Sequence, residues 1–99
     1  MLIGKNPLNK SPEWFTRNIE IEPENNSVEV DGASINFNVW GDKNLPGLLL
    51  LHGFNAHSLW WSHIAPAFME KYCVVAMDFS GMGDSGRRDF YSQEIYSKE

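Results

Sequence analysis

The stretch CVVAMDFSGMGDSGRR, residues 73–88, carries two well-known patterns at once. Gly81, Gly83 and Gly86 spell G-x-G-x-x-G behind an apolar run, and Gly83-Asp84-Ser85-Gly86 spells the G-D-S-G of a serine-protease nucleophile. A dinucleotide site needs its glycines to open a helix directly after the first strand of a βαβ unit. Here Asp78, Phe79 and Ser80 intervene, and RRDFYSQ follows Gly86 in place of the small and apolar residues that seat a helix N-terminus on a sheet. A G-D-S-G nucleophile needs two β-barrels and a much longer chain to supply its His and Asp. What remains is a glycine-rich loop at the carboxyl end of a strand, the edge that carries the crevice of open α/β sheets. Its glycines permit tight turns and positive φ, so they shape a loop beside a site and Ser85 is not the nucleophile.

Working outward, LLLL (48–51) and CVVAM (73–77) are apolar without alternation, which predicts strands covered on both faces, as in a parallel sheet. Between them, Ser58 is placed to cap a helix. Trp61, Ile64, Ala65, Phe68, Met69 and Tyr72 share one helical face, with Pro66 expected to kink the helix or mark the start of its regular part. Strand, helix, strand is a βαβ unit with a right-handed crossover. Upstream, Val28 and Val30 alternate with polar residues, Asp31-Gly32 suits a turn at positive φ, and Ile35, Phe37 and Val39 alternate with Asn36, Asn38 and Trp40. That period of two predicts a hairpin whose second strand buries the first set and leaves the second set wetter. Residues 1–26, broken by Pro7, Pro12, Pro23 and Asn25-Asn26, read as an irregular arm anchored by Trp14 and Phe15.

At 99 residues the chain holds at most one domain. A net charge of −5 argues against nucleic acid and anionic membranes, whose phosphates need a basic surface. MLIGKNPLNKSPEWF has no sustained apolar core, so neither a signal peptide nor a membrane span is expected and a cytoplasmic location is the default. The single cysteine, Cys73, sits in an apolar run and reads as a buried core thiol.

LLLLHGF followed by VVAMDFSGMGDSG resembles the α/β-hydrolase superfamily from about residue 27 onward. His52-Gly53-Phe54 is similar to that family's HG-x turn after its third strand, and the segment from Asp78 to Ser85 to its D-x-R-G-x-G-x-S loop after the fourth, with Ser80 where Arg is common. A lost Arg removes donors that could fasten the loop. The resemblance implies an α/β fold: the N-terminal part of an α/β-hydrolase sheet, an antiparallel hairpin followed by a βαβ unit, spanning 27–99 and ending before the nucleophile elbow. It implies that the Phe54 backbone N–H is an oxyanion-hole donor, worth about 3 kcal/mol in the transition state. Gly53 would let the backbone approach closely, and Phe54 and Asn55 would line the substrate pocket. His52 would be a structural hydrogen-bonder and the catalytic base would lie further along.

By the same resemblance, the nucleophile, acid and base are absent from this stretch, the chain is the first part of a longer enzyme, and the LLLL strand would be left with an open edge prone to aggregation. The implied function is hydrolysis of a small-molecule ester or related bond by a nucleophile–His–acid mechanism. The alternatives are an Asp nucleophile acting on epoxides or haloalkanes, or a non-catalytic binding protein of the same fold. Such Asp enzymes often have Pro after HG-x, and Asn55 at that place favours Ser. No cofactor is implied. His52, His57 and His63 do not make a familiar metal spacing, and His57 and His63 read as a solvated loop residue and an exposed or capping helix residue.

Overall fold

The computed structural model of the protein describes residues 12–53 and 56–99. Helix α1 (Glu13–Ile19) leads into strands β1 (Glu24–Val30), β2 (Ala33–Trp40) and β3 (Gly47–Leu51). Two short 3-10 segments, Ser58–His63 and Ala65–Phe68, precede β4 (Cys73–Met77), and α2 (Gln93–Lys98) closes the order. The four strands form one sheet in the order β1-β2-β4-β3, with β1–β2 and β2–β4 antiparallel and β3–β4 parallel. This is the predicted hairpin joined to a strand–helical–strand crossover.

The hairpin closes on a two-residue loop: Val30 pairs with Ala33, and Asp31 and Gly32 stand at φ of 46° and 84°. Two successive positive φ values match the right-handed twist of the strands, which is why Asp-Gly suits this turn. The segment read as irregular differs in two respects. It holds α1, and β1 opens at Glu24, so Asn25 and Asn26 pair with Asn38 and Phe37 within a strand.

The burial of β2 corrects half of the expectation: Ile35 and Val39 are buried and Phe37 half-buried, as read, but the other face is not wetter. Asn36, Asn38 and Trp40 are all buried, and their face is the one roofed by the 3-10 segments. Trp40, Ala65, Val74 and Ala76 form the core there, with Leu48, Leu50, Trp61 and Met69 packed around them. The opposite face is thinner: Ala33, Ile35 and Met77 with Val30, Phe37 and Phe79. β3, expected to be covered on both faces, is covered on one only: Leu49 and Leu51 keep 56% and 49% of their surface exposed, since nothing among the described residues packs over them. β3 is also a sheet edge, the open edge expected of the LLLL strand.

The predicted α-helix after residue 58 is two 3-10 segments. Proline has no N–H to donate, its ring crowds the preceding turn, and it pushes the residue before it out of the α region. Ile64 N–H therefore bonds Trp61 O, and Ala67 N–H bonds Ile64 O, in i to i+3 steps. Pro66 lies near the start of the second segment, where a missing donor costs least. Asn18 Nδ2 donates to His63 O at 3.0 Å, and Phe15 packs on the His63 ring at 5.6 Å, which fastens α1 to this crossover.

Candidate functional site

The carboxyl ends of the parallel strands β3 and β4 lie side by side, with Leu51 paired to Met77. The chain leaves β3 through His52-Gly53 and leaves β4 through the glycine-rich loop from Asp78 to Gly86. The two sequence patterns, more than twenty residues apart in the chain, thus meet at one edge of the sheet.

Asp78 organises the loop. It is 2% exposed, and its carboxylate accepts from Ser58 N–H at 2.5 Å, Asp84 N–H at 3.0 Å and Asn36 Nδ2 at 3.0 Å. Burial pushes its pKa up, since a charge loses its hydration, but the donors from Asp84, Ser58 and Asn36 outweigh that and hold it below the ordinary value of 3.8. One carboxylate so ties together β2, the start of the crossover and the glycine loop. Gly83 makes this possible. Its φ is +52°, and a Cβ there would stand 2.4 Å from the Asp78 carboxyl carbon.

The neighbouring polar residues complete a closed network. Asn25 Nδ2 donates to both Asn36 Oδ1 and Asn38 Oδ1 at 2.9 Å, and Asn38 Nδ2 donates to Ser58 Oγ at 2.8 Å. Ser58, expected to cap a helix, is instead the first residue of the 3-10 segment, with His57 at the N-cap position, and it is fully buried. Ser85 Oγ donates to Asp78 O at 2.5 Å and accepts from Asn36 N–H at 2.8 Å. A hydroxyl whose proton is committed to a carbonyl is a structural strut, in line with the exclusion of Ser85 as a nucleophile. No helix starts behind the three glycines before Gln93, so the dinucleotide pattern lacks the helix it requires.

His52 bridges the two loops. Its Nε2 accepts from Phe79 N–H at 3.1 Å, and its Nδ1 lies 2.6 Å from Gly53 O. A backbone N–H can only donate, so Nε2 is unprotonated and Nδ1 carries the proton. The ring also meets Phe79 edge-on at 5.2 Å. Both nitrogens are occupied, which gives His52 the fastening role expected of it and leaves no lone pair for a base.

Gly53 stands exposed at the turn. Phe54 and Asn55, the expected oxyanion donor and pocket residues, lie outside the described residues. Next to the turn is a cavity of about 290 Å³ lined by Leu51, His52, Gly53, Ala56, Trp60 and Trp61. Trp61 Nε1 is buried without a partner among the described residues. His57 is exposed, His63 packs between Phe15 and Trp60, and Cys73 is buried in β4. Among the described residues, no three His, Cys, Asp or Glu side chains gather in a ligand set, and no helix is long and apolar enough to cross a membrane.

An α/β sheet with paired loops at its carboxyl edge is the frame of a crevice-type α/β enzyme. The family model for the alpha/beta hydrolase fold matches residues 46–95, which contain both loops, and the chain belongs to that family. Among curated relatives, a fluoroacetate dehalogenase of Burkholderia sp is 39% identical over 64 residues, covering 65% of this chain and 20% of the relative. Among solved structures, a bacterial membrane phospholipase A superposes with a TM-score of 0.67 at 38% identity over 71% of this chain and 23% of that one. The thioesterase domain from the curacin biosynthetic pathway reaches a TM-score of 0.72 at 29% identity over 77% and 30%. The chain spans 16–24% of the length of the curated relatives it matches.

Proposed function

We propose that this chain provides the oxyanion-hole side of a cytoplasmic α/β-hydrolase that cleaves an ester or related bond in a small molecule. The observation that carries the reading is the His52 bridge. His52 Nδ1–H holds Gly53 O at 2.6 Å while the loop after β4 holds His52. A peptide unit is planar, so whatever fixes its carbonyl also fixes the N–H across the same bond. In this reading Phe54 donates that N–H to the oxyanion that develops as the nucleophile attacks, and a donor fixed in advance costs no reorganisation during the reaction. Phe54 and Asn55 line the pocket, and Gly53 keeps the turn open to the substrate. The nucleophile, the acid and the histidine base come from outside this stretch.

The cavity beside the turn supports a small, largely apolar substrate, since Leu51, Ala56, Trp60 and Trp61 wall it. A second reading, with an Asp nucleophile and halide or epoxide chemistry, gains from the likeness to a dehalogenase. Asn55, in place of the Pro common in such enzymes, favours the serine reading.

The test is a panel assay on the product of the complete coding sequence, using p-nitrophenyl acetate, styrene oxide and 1-bromobutane. Turnover of the ester, with covalent labelling by a fluorophosphonate, is the expected result. Turnover of the epoxide or bromoalkane without labelling would move the assignment to an Asp nucleophile, and inertness towards all three would support a binding protein.

A further inference from the structure

We propose that the buried Arg88–Glu99 pair is a positioning clasp for the His52–Gly53 turn, setting the geometry of a site that neither side chain touches. The functional consequence rests on the hydrolase reading above; the mechanical one does not.

Arg88 Nε lies 3.0 Å from Glu99 Oε2, with the two side chains 8% and 0% exposed. Burying an ion pair costs so much hydration that it holds only where further hydrogen bonds satisfy both partners. Here they do. The Arg88 guanidinium donates to Asp31 O and Val30 O, each at 2.7 Å, and to Ser80 Oγ at 3.1 Å. The Glu99 carboxylate takes both donors of Ser80, the N–H at 2.9 Å and the hydroxyl at 2.5 Å. The clasp thus joins the β1–β2 turn, the loop after β4 and the end of α2.

Its action runs through Phe79. Glu99 holds the N–H that follows Phe79, and Asp78 N–H is held by Asn36 O at 2.8 Å. With the flanking peptides fixed, the Phe79 N–H is aimed at His52 Nε2. α2 has a second hold on the same residue, because the Tyr96 ring meets Phe79 edge-on at 5.4 Å, while Phe79 also meets His52 edge-on at 5.2 Å. The line of contacts from Glu99 through Ser80, Phe79 and His52 ends on the Gly53 carbonyl, one bond from the proposed donor.

The experiment compares wild type, Glu99→Ala, Glu99→Gln and Arg88→Lys in the product of the complete coding sequence. Nitrogen-15 NMR of labelled histidines reads the His52 tautomer, and kinetics are measured on whichever panel compound is turned over. In wild type His52 shows a single Nδ1–H tautomer. Glu99→Ala is expected to mix the tautomers and to lower kcat by roughly tenfold, with KM changed by less than about twofold, as displacement of a pre-aimed group predicts. Glu99→Gln, which keeps an acceptor for Ser80, and Arg88→Lys keep the fold and show a smaller effect of the same kind. His52 signals unchanged in Glu99→Gln and Arg88→Lys, alongside unchanged kcat, would overturn the proposal. If no compound is turned over, the hydrolase reading fails while the His52 tautomer still decides the clasp.

Discussion

Asp78 shows how one residue can decide whether a loop exists. Its carboxylate is the shared acceptor for donors from β2, the crossover and the glycine loop. Removing its charge leaves buried N–H groups without a partner, and bonds to a charged acceptor are the stronger kind. Asp78→Asn, which offers an amide to groups that are themselves donors, is expected to cost about 3 kcal/mol at neutral pH, measured by urea unfolding. The pH dependence has a definite sign. A carboxyl whose folded pKa lies below its ordinary 3.8 stabilises the fold fully above that ordinary value, and the stability is lost as pH falls through the lower folded value. Wild type should therefore lose stability in acid below about pH 4, and Asp78→Asn should lack that component. Equal urea midpoints for the two proteins at pH 7 would contradict this role.

At the scale of elements, turns and apolar runs were legible because their causes are local. Asp31-Gly32 announces a turn at positive φ, and the apolar run 73–77 announces a buried strand, whereas LLLL is a strand that stays half exposed. The burial of the second face of β2 was not legible. Alternating Asn36 and Asn38 look solvated, and their burial depends on partners such as Asp78, 42 residues away. The crossover helix was misread for a related reason: the apolar spacing is helical, but Pro66 withholds a donor in mid-pattern. The site itself was half legible. His52 and the glycine loop stand out as motifs, whereas the Arg88–Glu99 clasp has no sequence signature. β3 carries the prediction for this scale. It presents an unpaired edge and two exposed leucines, a template for strand pairing with another chain. The isolated 99-residue polypeptide should self-associate in size-exclusion chromatography, and Leu49→Lys with Leu51→Lys should shift it towards monomer. A wild-type monomer with a cooperative thermal transition would count against that expectation.

For the whole molecule, the polar contacts of the sheet are unevenly placed. One face is roofed by the crossover, on which α1 packs, and the polar networks gather at the carboxyl edge where His52, Asp78 and Ser80 lie. Side-chain hydrogen bonds from His52, Asp78, Asn36 and Glu99 fix the two loops. Such fixing is what electrostatic preorganisation demands of an oxyanion site. The most direct measurement replaces the amide between Gly53 and Phe54 by an ester in the product of the complete coding sequence, which deletes one N–H and little else. The predicted result is a kcat lowered by roughly a hundredfold on the turned-over compound, with the unfolding midpoint nearly unchanged. A kcat within a few-fold of wild type would contradict the assignment of this turn as the oxyanion donor.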